Sequence, residues 1–385
     1  MRNYLLALLI FAVSVVGLSM GATLPLVSLR LHEAGASPWL IGLFSALPAA
    51  GMIIAALLIN PLQRRLNGRH LYLGSFAVAL LCCAALEWPQ PSAWLLGLAR
   101  LGLGLAMGIL VILGESWVNE LCSEARRGQV VALYAACFTG FQLVGPAMIG
   151  LFGAASPWLI GLVSLANLLA LLLVYAYLPA GWGQVAAHAT RSFSLMGFFR
   201  VAPALCMGVL FFAFFDSVVL SLFPVYASGH GYAVAAAAFM ATLILLGDML
   251  CQVPLGWLSD RLDRRRLHLT CGTLALLLGM ALPWLMQHPW LLWPSLALLG
   301  AVAGGVYTLA LVLIGQDFRG QDLVTANACV GLLWGVGSLS GPLLSGALMG
   351  LASHGLPLAL SLAAGLFVVT ALGSAHRLRH SLPAS

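Results

Sequence analysis

The chain contains no lysine; all 17 of its basic residues are arginine. That absence removes the phosphate-binding lysine of a P-loop and the amine of a Schiff base, so neither an ATP-driven motor nor that covalent chemistry resides here. Charge of either sign is scarce, 7% of residues, where water-soluble domains carry roughly 25%. A chain so poor in charge cannot give a globule a hydrated surface. No His-Glu-x-x-His sequence occurs, and the nine histidines fall mostly in loops or at the ends of apolar runs. A zinc hydrolase is therefore unsupported, the chain is not read as an enzyme, and neither metal nor cofactor is expected. Cys82, Cys83, Cys137, Cys206, Cys251, Cys271 and Cys329 lie inside apolar runs without metal-ligand spacing. They read as small core residues.

What the chain has in abundance is hydrophobicity, at 62% of residues with a mean hydropathy of +1.03. A spanning helix uses about 20 apolar residues. Splitting the sequence at its charged and Gly/Pro-rich breaks gives twelve such segments, at about 4–29, 39–59, 71–86, 93–117, 130–152, 158–178, 201–226, 233–255, 267–286, 291–315, 325–350 and 357–375. The expected class is an all-α membrane protein, with a six-helix bundle over 1–178, a cytoplasmic linker over 179–200 and a second bundle over 201–385. On this division 15 of 17 arginines lie in or beside inner loops, with Arg30 outside and Arg100 within a span. Loops retained in the cytoplasm collect arginine, which places both termini there. The same clustering accounts for the net charge of +6 without a continuous basic surface, so no nucleic-acid partner is expected. The apolar run after Arg2 is longer than a signal-peptide core and takes part in the repeat described next, so it is kept as the first span.

Residues 256–266, GWLSDRLDRRR, are the most polar stretch between two spans. Moving back by 196 positions gives NPLQRRLNGRH, in which Leu62, Arg65, Leu66 and Arg69 match Leu258, Arg261, Leu262 and Arg265. The same ungapped shift pairs Gly51 with Gly247, Gly104 with Gly300, Gly108 with Gly304, and Gly145–Pro146 with Gly341–Pro342. The chain is a duplication. Because each copy has an even number of crossings, the copies form two parallel repeats about an axis normal to the membrane.

Ionisable residues within spans are costly, at least about 2.5–3.5 kcal/mol each, and so are functional candidates. Arg100 lies about 10 Å into the fourth span. On a helical period it shares a stripe with Gly104, Gly108 and Glu115, expected to line a cavity. Arg100 would hold an anionic group of a solute or act as counter-ion to an acid. Glu115, near the inner end, either joins that stripe or is an interfacial residue capped by Arg126 or Arg127. Asp216 falls about 20 Å along the seventh span, near the midplane, among Phe211, Phe212, Phe214 and Phe215. It reads either as a carrier that takes and releases a proton near neutral pH or as a protonated group bonding helices together. Asp248 and Gln252, one turn apart, form a second polar spot or a helix–helix hydrogen bond. Gly-Pro at 145–146 and 341–342 removes a backbone bond and permits close approach, so both are expected to mark bends; packing alone would explain one, and recurrence in both copies favours a part in rocking. GLSMG at 17–21 matches the hydrolase nucleophile-elbow pattern but lacks its strand-to-helix context.

These motifs resemble those of the major facilitator superfamily (MFS). Gly256, Asp260, Arg261, Arg264 and Arg265 are similar to its G-x-x-x-D-R-x-G-R-R loop motif, with Asp263 where a second glycine is usual. Arg100 and Gly104 resemble its fourth-helix R-x-x-x-G motif, and the two Gly-Pro pairs its helix-5 motif. GESWVNE at 114–120 resembles the YcaD-like branch. The resemblance implies the MFS fold. Asp260 can face the positive end of a helix or an arginine of a neighbouring loop, a contact that exists only while the inner helix ends are together, so the loop reads as a latch or as charge that merely sets orientation. Arg65 belongs to the first-half copy of this loop, but Arg64 and Asn67 stand at the places of the aspartate and the glycine, so the halves are expected to contribute unequally.

The expected activity is secondary active transport of a small solute across a bacterial inner membrane. Alternating access would proceed around a midplane site between the halves, coupled to protons and, on the aromatic content, directed outward. A monomer surrounded by lipid is expected. An uptake permease, or a membrane sensor or assembly protein that kept the fold, are the rival readings.

Overall fold

The computed structural model describes residues 2–88, 92–121, 127–179, 195–259, 261–318 and 320–381. Arg126, Asp260 and most of the expected linker lie outside them. Fourteen helices and no strand occur among the described residues: α1 (Arg2–Glu33), α2 (Pro38–Gln63), α3 (Gly68–Leu86), α4 (Ala93–Leu121), α5 (Arg127–Phe152), α6 (Trp158–Tyr177), α7 (Leu195–Val201), α8 (Pro203–Ser221), α9 (Phe223–Gly229), α10 (Val234–Ser259), α11 (Arg264–Leu285), α12 (Pro289–Asp317), α13 (Gly320–Leu351) and α14 (Gly355–Ser381). Twelve of these are long and apolar enough to cross a membrane.

The departures from the expected spans have local causes. The seventh span, expected to run to Tyr226, stops at Ser221 and resumes as the short α9, in which Pro224 occupies the first turn. Proline is tolerated there because the first-turn N–H has no helical acceptor. Several helices outrun their apolar segments, α1 to Glu33 and α14 to Ser381. Helical hydrogen bonding continues beyond the stretch that needs apolar side chains, so hydropathy underestimates length. Two helix starts are equivalent under the 196-residue shift. Asn67 Oδ1 accepts from Arg69 N at 3.1 Å, and Asp263 Oδ1 accepts from Arg266 N at 2.7 Å, capping α3 and α11. Each satisfies a donor the helix cannot.

The chain divides into two compact units. Unit 1 comprises Met1–Ala36, Leu43–His188 and Tyr232–Thr242. Within it α1 packs on α4, α5 and α6, and α3 on α4 and α6. Unit 2 comprises Ser37–Gly42, Ala189–Gly231 and Leu243–Ser385. Within it α8 packs on α12, α13 and α14, and α11 on α12 and α14.

Glycines set how closely these helices meet, and the repeat reappears in them. A β-carbon on Gly51 would strike the Leu101 carbonyl, and one on Gly247 the Ala297 carbonyl. Gly104 sits against the Pro48 backbone and Gly300 against that of Ile244. Gly145 faces Gly21, and Gly341 faces Ser217 and Phe214. Every pair is displaced by 196 positions, so the duplication visible in the sequence is a duplication of backbone contacts. α5 and α13 run as single helices through Pro146 and Pro342. Close helix–helix packing accounts for the glycines.

Candidate functional site

In unit 1, Arg100 is fully buried. Its Nε donates to the Phe44 carbonyl at 3.2 Å and its Nη1 to the Thr23 carbonyl at 3.1 Å, while Nη2 has no hydrogen-bond partner among the described residues. The acceptors lie on α2 and α1, so the guanidinium joins three helices. Gly104 and Gly108 meet Pro48, Met52 and Ala55 of α2. The stripe expected to line a cavity is thus a packing face, because residues without a β-carbon let the two backbones touch. Glu115 lies further along α4 and is exposed.

In unit 2, Asp216 on α8 and Asp248 on α10 are both buried, 6% exposed. They are near enough for their charges to interact. Asp248 Oδ1 accepts from Gln252 Nε2 at 3.4 Å, a long bond within one turn of α10. Sequence reasoning set Asp248 with Gln252 and Asp216 apart from them; the bond of Asp248 to Gln252 lies within α10 and does not join two helices. The shift places Asp216 opposite Met20 and Asp248 opposite Met52, while Arg100 stands opposite Leu296. Each unit therefore buries charge of one sign at positions where the other carries an apolar residue. Beside Asp216, Phe212 stacks on Tyr307 at 5.1 Å and meets Trp334 edge-on at 5.6 Å.

The loop between α10 and α11 is tied to the end of α12. Arg265 Nη2 lies 3.0 Å from Asp317 Oδ2, and Arg264 donates to Gln316 Oε1 at 3.1 Å and to the Ser259 carbonyl at 3.1 Å. Arg261 sits over the Trp257 ring at 3.7 Å. Among the described residues nothing lies within 4 Å of where Gly256 would carry a β-carbon, and Asp260 lies outside them. In the first copy Arg65 is exposed, and Arg69 turns to α6, donating to the Tyr175 carbonyl at 2.7 Å. The two loops thus make different contacts.

Several polar contacts were not foreseen from the sequence. Asn167 on α6 donates to Ser19 Oγ at 2.8 Å and to the Val163 carbonyl at 2.9 Å, and Ser28 and Ser45 share a bond of 2.9 Å. Arg30 is paired with Glu87 at 2.9 Å and donates to the Ala154 carbonyl at 3.0 Å, joining the ends of α1, α3 and α5. Tyr226 Oη lies 3.0 Å from Nδ1 of His354, which is stacked on His230. Only Asn167 carried a signal, as a lone amide inside an apolar run. The GLSMG glycines pack against the Phe138 and Gln142 carbonyls of α5.

Twelve helices long and apolar enough to span and a set of duplicated backbone contacts define a polytopic membrane protein built as two copies. The sequence model of the Major Facilitator Superfamily matches residues 9–247 and 205–383, and the chain belongs to that family. It is 28% identical over 360 residues to the "Uncharacterized MFS-type transporter YfkF" of Bacillus subtilis (strain 168), covering 90% of this chain and 89% of that one. It is also 28% identical over 330 residues to the "Uncharacterized MFS-type transporter YcaD" of Escherichia coli O81 (strain ED1a), covering 84% and 83%. Among solved structures, the nucleoside transporter NupG aligns with a TM-score of 0.74 at 13% identity, over 96% of this chain and 98% of that one. The D-xylose-proton symporter aligns at 0.71 and 17%, over 96% of each. The chain is a multi-pass membrane transporter of this general kind.

Proposed function

We propose that the protein is a secondary active transporter of a bacterial inner membrane, moving a small solute outward by alternating access in exchange for protons. The observation that carries this reading is the burial of two aspartates, Asp216 and Asp248, in unit 2. Each carboxyl is held inside an apolar span, where ionisable groups serve as proton relays, so the two are suited to take up a proton and to release it when their surroundings change. Arg100 supplies a fixed positive charge in the other unit. Phe212, one turn from Asp216, with Tyr307 and Trp334 packed on it, favours an amphipathic solute and with it outward transport. With no lysine for a P-loop, the proton gradient is the natural energy source.

The test uses purified protein in proteoliposomes with a pH-sensitive dye inside, challenged with a panel of amphipathic solutes across a range of external pH. The expected result is a solute that moves protons through the wild type, with the movement abolished by Asp216→Asn and impaired by Asp248→Asn while both variants stay folded. Failure of every solute to move protons at any pH would remove proton coupling. A solute that moved as well through Asp216→Asn would remove the assignment of the pair.

A further inference from the structure

We infer that Pro48 is the positioning residue of Arg100, and that the two form one device present in the first copy and replaced as a pair in the second. In a helix the carbonyl of residue 44 accepts from the N–H of residue 48. Pro48 has no N–H, and Phe44 is the residue whose carbonyl receives Arg100 Nε. A buried carbonyl without a donor is costly, as is a buried guanidinium without acceptors, and here each answers the other. Under the 196-residue shift Pro48 becomes Ile244 and Arg100 becomes Leu296, both buried. Ile244 keeps the N–H that its own helix needs, and at that place no arginine is present. Gly300 packs on Ile244 as Gly104 packs on Pro48, so the close contact of the two helices is compatible with either pair. The proline creates the acceptor, and the arginine depends on it. With Nε and Nη1 fixed by backbone atoms of two helices, the position of the charge is set by the frame of unit 1 and not by any acidic side chain. This inference is independent of the coupling ion and of the solute.

The test is a double-mutant cycle on the full chain in lipid nanodiscs, read by thermal unfolding and by the Arg100 Nε–H resonance in protein labelled with 15N-arginine. That resonance is identified by its loss in Arg100→Leu. The expected result is that Arg100→Leu lowers the Tm in the Pro48 background and that the loss shrinks by about half or more when position 48 is isoleucine. Pro48→Ala, which restores an N–H in a small side chain, should shift the Arg100 resonance and speed its exchange with solvent. A purely space-filling role for Pro48 would not move that signal. Where Arg100→Leu fails to accumulate in the membrane, recovery of accumulation in Pro48→Ile/Arg100→Leu is the same supporting result. Equal Tm losses in the two backgrounds, no recovery of accumulation, or an Arg100 signal unmoved by Pro48→Ala would overturn the inference.

Discussion

Oδ1 of Asp248 occupies the space in which Gly304 would carry a β-carbon. The acid of α10 is seated in a notch that only glycine leaves open on α12, so its position is set by a residue without a side chain. Gly304→Ala should therefore strike at the carboxyl itself. The expected outcome is an overpacking loss of about 1–3 kcal/mol in stability, together with a fall in solute-driven proton movement towards that of Asp248→Asn. Thermal unfolding and the proteoliposome assay measure the two. An alanine variant with unchanged Tm and flux would show that the notch is not needed.

Asn67 and Asp263 do the same work in the two copies, and their removal should cost alike. Asn67→Ala and Asp263→Ala are each expected to lose about 1 kcal/mol. Replacement by serine, which also caps, should recover most of it. Unfolding curves of the four variants decide this, and a serine variant no better than alanine would point to a role beyond capping.

The amide of Asn167 joins α6 to α1 through Ser19. Interhelical hydrogen bonds in membrane proteins average about 0.6 kcal/mol and reach about 1.7, so Asn167→Leu should destabilise by no more than that. Ser19 Oγ remains bonded to the Val15 carbonyl at 2.9 Å in either case. A much larger loss on unfolding would mean that Asn167 supports more than this one contact.

Arg265 and Asp317 are half-exposed and about one-third exposed, and such pairs contribute about 0–1 kcal/mol. Arg265→Gln should leave the Tm nearly unchanged and insensitive to salt. If the loop motif serves as a latch, the effect appears in the rate of transport. A large Tm loss with normal transport would assign the pair to stability instead.

The spans, the repeat and the small residues of the motifs were legible because each rests on a rule that acts along the chain: hydrocarbon excludes charge, and a fixed offset survives in any ungapped copy. The burial of both Asp216 and Asp248 in unit 2 was not legible. It depends on where α8 and α10 face, and helices apolar on nearly every side give no periodic signal for that. The stripe on α4 was seen but assigned to a cavity, because small residues line cavities and helix contacts alike. Pro48 carried a signal that went unread. A proline buried in a span implies an orphaned carbonyl four residues earlier, and a lone arginine two helices away was the available donor.

The constant offset among the glycine contacts has a bearing on how the halves came to differ. From Gly21 and Ser217 through Gly145 and Gly341, neither copy has gained or lost a residue relative to the other. Divergence there took place by exchange of side chains on chains of equal length, and an arginine in one half and two aspartates in the other were installed without a slip in register. Grafting the acids onto the first copy, or the arginine with its proline onto the second, is accordingly a matter of substitution alone, with no loop to be rebuilt.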